Sequence, residues 1–133
     1  MTDPATLINR LALAQHPEGG WYRETMRQPA PDGGRGLATA ILYLLEDGQR
    51  SHWHRVDAAE LWLWHSGSPL TLLIDDGDAR EHLLTGDAPQ AIVPPQAWQS
   101  AEARAGWALV SCVVTPAFDF AGFELAPPDW KPR

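Results

Sequence analysis

From Ala38 to Val114 the chain is a succession of short apolar or alternating runs separated by turn chemistry, and this spacing limits the fold more than any other feature. The runs are ATAILYLL, SHWH, ELWLWHSG, PLTLLI, EHLL, AIV and WALVSCVV; the breaks between them include EDGQ, DDGDA and TGDAPQ. Runs of about four to eight residues at roughly ten-residue spacing are too short for a helical bundle and read as strands. Strands so arranged hide their edges best by closing into a sandwich or barrel, so the expected class is all-β.

Only the segment before them reads as helix. Over residues 3–14, Asp3 serves as N-cap, Pro4 takes the first helical position, and Leu7, Ile8 and Leu11 recur at helical spacing. Residues 15–37 read as irregular: Pro17 and Gly19-Gly20 force a turning backbone before a short extended piece, and a loop rich in Pro and Gly follows from Gln28 to Gly36. The barrel is expected over 38–125 and a tail over 126–133. With 133 residues, one domain spanning 1–133 is the expectation.

A net charge of -7 with no run of basic residues argues against nucleic acid and anionic membrane surfaces as partners. No stretch approaches the roughly 20 apolar residues of a membrane helix, and no secretory leader is visible, so a cytoplasmic location is expected. The single cysteine, Cys112, lies in an apolar run and reads as a small buried hydrophobe. Seven tryptophans favour a pocket or interface lined with indoles.

The chemistry concentrates in GQRSHWHRVDAAELWLWHSG. His52 and His54 are two apart on one strand, and Glu60, Trp62 and Trp64 share a face of the next. Two imidazoles and a carboxylate form a ligand set for a divalent zinc, iron, manganese or nickel ion. The same residues can equally be a satisfied core cluster, with Glu60 bonded to Arg55 or Arg23.

At these residues the chain resembles the cupin superfamily, whose first motif joins His-x-His to a Glu and a closing Gly. His52, His54, Glu60 and Gly67 match it, with five residues rather than four between His54 and Glu60. The second motif falls on Pro94 to Gln99, where Gln96 and Gln99 replace a Gly and a His. HPEGGWYRET (16–25), SHWHR (51–55), ELW (60–62), VPPQAWQSA (93–101) and LVSCVVTPAFDFAGFEL (109–125) together resemble the small single-domain family often called cupin-five.

That resemblance implies a cupin double-stranded β-helix, a jelly-roll barrel with one short N-terminal helix, and a homodimer. It also implies a pocket like that of sugar-nucleotide epimerases, taking a small polar or anionic molecule. Carried over by position, the pocket residues are Glu18, Tyr22, Arg23, Glu24, Ser51 and His54, together with Arg55, Glu60, Trp62, Trp98 and Gln99. Arg23 and Arg55 either hold an anionic group or pair with nearby glutamates. His54 with Glu60 is either a general base with its orienting carboxylate, Tyr22 being the acid, or a hydrogen-bonded core pair. Ser51 lacks the strand-turn-helix of an exposed nucleophile.

Trp62, Trp64 and Trp98 form a stacking wall or simply core. Phe118, Phe120 and Phe123 read as packing on the core or a second subunit in preference to a ligand, and His16, His65 and His82 as surface or capping residues. Three functions follow: a binding cupin without catalysis, a metal-independent isomerase or epimerase of a phosphorylated or nucleotide sugar, and a metal enzyme using His52, His54 and Glu60 with Gln99.

Overall fold

The computed structural model describes residues 2–132, and its elements begin with helix α1 (Pro4–Arg10). The strands are β1 (Ala14–Gln15), β2 (Trp21–Gln28), β3 (Ala38–Leu45), β4 (Arg50–Val56), β5 (Ala59–Gly67) and β6 (Leu70–Asp75). They continue with β7 (Ala79–Leu84), β8 (Gln90–Val93), β9 (Trp98–Glu102), β10 (Ala108–Thr115) and β11 (Phe123–Leu125). One sheet has the order β1-β2-β3-β10-β5-β8 and the other β11-β4-β9-β6-β7, with antiparallel pairing throughout. This is the expected all-β jelly roll. Inward-facing Tyr43, Trp62, Leu70, Leu72, Leu84 and Val110 fill the space between the sheets.

The helix begins as its sequence signals: the Asp3 carboxylate accepts from the Thr6 N–H at 2.7 Å, with Pro4 in the first turn. It stops at Arg10 rather than Ala14. Ala12 takes φ +55, and Ala14–Gln15 then pair with Tyr22 and Trp21. The apolar spacing was a genuine signal, because Leu7, Ile8 and Leu11 pack with Leu44 and Leu109 on the outer face of the six-stranded sheet.

The stretch 15–37, read as irregular, contains the eight-residue strand β2. Its outer six residues are exposed, so no apolar alternation marks them. The turn before β2 is closed by hydrogen bonds from His16 N–H to Gly20 and from Gly19 N–H to His16. Gly19, at φ +108, lies so near the Arg50 carbonyl that a Cβ would collide with it. The turn is stitched to β4 by the His52 N–H, which donates to the Glu18 carbonyl at 2.7 Å.

Two β-bulges decide which side chains face inward. In β4, Ser51 opposes Ala101 and His54 opposes Gln99, so three steps on β4 match two on β9. Ser51 and His54 therefore point into the barrel together. In β2, Glu24 opposes Ile41 and Met26 opposes Ala40, which turns both Glu24 and Arg27 toward the interior side. The residues after β11, expected as a tail, lie against the five-stranded sheet: Ala126 N–H donates to Trp53 O, and Trp130 packs on Trp53 and Trp98.

Candidate functional site

A cavity of about 260 Å³ opens between the sheets at one end of the barrel. Its floor carries His16, Glu18, His54, Glu60 and Cys112; Ile41, Val56 and Val114 form its apolar walls. Tyr22 also lines it, and its mouth is framed by Glu24, Arg27, Phe118, Phe120 and Phe123.

The floor is held by a network of buried groups. His54 Nδ1 lies 2.7 Å from the His52 carbonyl, which can only accept, so Nδ1 carries the proton. Nε2 of the neutral ring is then a bare acceptor, 3.4 Å from Glu18 Oε2. Ser51 Oγ donates to the same Glu18 carboxylate. His16 Nδ1 accepts from the Glu18 N–H at 3.1 Å and stands 3.3 Å from Oε1. Across the floor, Glu60 Oε1 accepts from Gln99 Nε2 at 2.9 Å, and Gln99 Oε1 accepts from Trp62 Nε1 at 2.8 Å.

Burial dominates the electrostatics. Desolvation pushes Glu18 above the ordinary carboxylate range, against the opposing pull of His16 and the Ser51 hydrogen bond. Desolvation also raises Glu60 to about 7, with the Glu18 charge adding to the rise and His54 opposing it. The imidazoles of His54 and His16 are both pushed below the usual histidine value, again chiefly by desolvation. Burial keeps the Cys112 thiol protonated. The result is two carboxyls whose proton affinity is raised, Glu60 titrating near neutrality, facing two imidazoles that resist taking a proton.

The cavity brings together Glu18, Tyr22, Glu24, His54 and Glu60 of the residues expected from sequence, with Ser51 bonded behind Glu18. The others go elsewhere. The extra residue in β4 turns His52 outward, where Nε2 meets the Pro127 carbonyl at 2.8 Å and fastens the C-terminal segment. Arg23 is exposed beside Leu42, away from the cavity. Arg55 pairs with Glu124 at 2.7 Å and lies 4.7 Å above the Trp98 ring on the outer side. Trp98 packs there on Trp130. Trp62 and Gln99 are interior supports, and Trp64 donates to Ser68 O. Of the two readings of these indoles, core packing holds for Trp62 and Trp64, while Trp98 lies on the outer face and no stacking wall forms.

His16, read from sequence as a surface or capping residue, does accept from the Glu18 N–H in its turn but also lines the cavity, and Arg27 was overlooked. His16 comes inward because the Gly19-Gly20 turn folds back on itself, and Arg27 because of the β2 bulge. Phe118 and Phe123 pack on the core residues Val56, Ala58 and Val114 as expected, and with Phe120 they also line the cavity mouth, the placement read as the less favoured one.

The ligand set expected for a metal does not fit. His52 faces outward, and the Gln99 amide is engaged by Trp62 and Glu60. Among the described residues, no group of three or more His, Cys, Asp or Glu side chains is arranged to hold a metal ion.

Two antiparallel sheets closing on a cavity with the remnants of a His-x-His…Glu motif define a cupin-class protein. Residues 5–126 match the model described as "Cupin superfamily (DUF985)", and the chain belongs to that family. It is similar to Protein SO0799 from Shewanella oneidensis at 36% identity and TM-score 0.87, over 95% of this chain and 85% of that one. It is also similar to a hypothetical protein from Leishmania major at 32% identity and TM-score 0.81, over 92% and 86%. Oxalate decarboxylase from Bacillus subtilis shares the fold, at 17% identity and TM-score 0.64 over 84% of this chain and 29% of that one. No match appears among curated proteins. No helix among the described residues is long and apolar enough to cross a membrane.

Proposed function

We propose that the protein binds a small polar molecule in the barrel cavity, its polar end against Glu18, His54 and Glu60, and that this floor changes its proton content on binding. The observation that carries this reading is the 3.4 Å contact between His54 Nε2 and Glu18 Oε2 at the base of a cavity open to solvent. Two facing acceptors need a proton between them, so a ligand that donates to or accepts from either one must redistribute it. The reading requires no metal. Arginine supplies no free anion site within the cavity, since Arg27 is bonded to Glu24 and to the Phe118 carbonyl. Phosphorylated and nucleotide sugars therefore lose the support that Arg23 and Arg55 were expected to give.

A thermal-shift screen of small amines, alcohols and acids, with and without chelator, tests this reading. Stabilisation that survives chelation and is lost in Glu18→Gln supports it; binding that needs a stoichiometric metal overturns it. A second reading, metal-independent isomerisation, is favoured by the fixed tautomer of His54, a residue that lines the cavity and whose Nε2 is the acceptor nitrogen beside Glu18. His54 would take a proton from carbon beside a carbonyl, and the Glu60 carboxyl would return one. Deuterium entering a bound ligand from D₂O in the native protein, but not in His54→Asn, is the expected sign.

A homodimer and a cytoplasmic location belong to the same proposal. Support for the dimer is an apolar row crossing the outer face of the six-stranded sheet: Met26, Ala40, Val113, Leu61 and Ile92 stand side by side on five strands. Met26 and Ile92 at its ends are 41% and 65% exposed. Light scattering should give twice the chain mass, and Leu61→Lys should give a monomer that keeps its cavity.

A further inference from the structure

The charge and shape of the cavity select among polar ligands, and we infer that its occupant is a small organic cation, an ammonium carried on a compact apolar body. This rests on the cavity being a binding site and adds the ligand's class.

Charge is the first argument. The Glu24–Arg27 ion pair is internally neutral, with bonds of 2.7 and 3.2 Å. What remains is Glu18 and Glu60 beside His16 and His54, so the floor is negative or neutral depending on its protons. An anion would meet buried carboxylates with no free cation to offset its desolvation. An ammonium would meet two carboxylates able to accept from it.

The mouth is the second, independent argument. Phe118 and Phe120 lie 4.9 Å apart at 86°, Phe120 and Phe123 5.8 Å apart at 81°, and Phe118 and Phe123 5.7 Å apart at 63°. Three rings packed edge to face at the mouth cannot all present only their edges to one ligand direction. Aromatic faces attract cations. Mouth and floor are contiguous, since the Phe123 and His54 ring centroids are 5.7 Å apart. At about 30 Å³ per water, the cavity has room for roughly eight or nine waters, or a ligand with about as many heavy atoms.

Proton linkage follows from the same geometry. The groups around Glu60 are His54 on β4, Glu18 in the turn before β2, Gln99 on β9 and Cys112 on β10. A bound ammonium favours the ionised carboxyl, so affinity rises with pH as Glu60 loses its proton, about tenfold between about pH 6 and pH 8.

Benzylamine, benzyl alcohol and benzoate have nearly one shape and differ in head charge. Their binding to the full-length protein is measured by calorimetry and by chemical-shift changes at His54. Benzylamine is expected to bind at least tenfold tighter than benzyl alcohol, with benzoate weakest. Phe120→Leu, at an exposed position that tolerates replacement, should weaken benzylamine several-fold more than benzyl alcohol. Glu60→Gln should remove the pH dependence. Benzyl alcohol or benzoate binding as tightly as benzylamine overturns the cationic assignment and leaves the cavity as a binding site. Failure of all three overturns both.

Discussion

Replacing Glu60 by Gln should make the protein more stable above neutral pH. The folded protein holds the Glu60 carboxyl at about 7, against 4.5 for the unperturbed group, chiefly because it is buried. A raised carboxyl value means that the folded state binds a proton the unfolded state has already released. Its contribution to stability is therefore complete below pH 4.5 and declines as pH rises toward 7. At about 1.4 kcal/mol per unit, the loss accumulates to about 3 kcal/mol above pH 7. Glutamine keeps the oxygen that accepts from Gln99 Nε2 but has no charge to desolvate. Urea unfolding of both proteins at half-unit steps from pH 4 to 9 measures the difference. His54 and Glu18 are common to both, so the widening gap reports Glu60 and its coupling to them. The variant should gain on the native protein as pH rises, with the gap levelling off above pH 7. Parallel stability curves would refute the claim that Glu60 is ionised at a cost within the fold.

Gln96 sits at φ +68 in the turn Pro94–Ala97, where Ala97 N–H donates to the Pro94 carbonyl. Gln96→Gly should relieve about 1 kcal/mol of backbone strain and raise the calorimetric melting temperature by a few degrees. Trp62→Phe removes the indole N–H that Gln99 accepts, leaving a buried amide oxygen short of a donor. Denaturant unfolding should show a loss of about 1–3 kcal/mol. His52→Ala should leave benzylamine affinity unchanged and instead release the C-terminal segment held through Pro127, seen as faster amide exchange at Ala126, Asp129, Trp130 and Lys131. A fall in cavity affinity in that variant would place His52 back in the site.

Much of the architecture was readable from residue order. The apolar runs from ATAILYLL to WALVSCVV became strands β3 to β8 and β10, because period-two burial and turn residues act locally, while β9 (Trp98–Glu102) fell in none of them. Asp3 and Pro4 marked the helix start for the same reason. β2 escaped because its side chains are mostly exposed, so only its pairing with β3 makes it a strand. The position of Gln96, where the family resemblance leads one to expect Gly, also has a local consequence: the turn keeps its left-handed residue and accepts the strain.

The site was legible by residue type but not by direction. His54 and Glu60 stood out by their spacing and Glu18 was carried over through the family resemblance, since a cupin-like pattern limits where inward polar groups arise. Which neighbours join them was settled by two inserted residues. A bulge in β4 exchanges His52 for Ser51 on the inner face, and one in β2 turns Arg27 inward. Neither bulge has a sequence signature, because each depends on register with a strand distant in the chain. The sequence by itself thus determined an all-β closed fold and the acid–base residues within reach of its interior. Only the tertiary structure decided that the His-x-His pair is split, that Arg23 and Arg55 lie outside the cavity, and that burial raises the proton affinity of Glu18 and Glu60. Side-chain direction and desolvation come from long-range packing, which no local stretch of residues encodes.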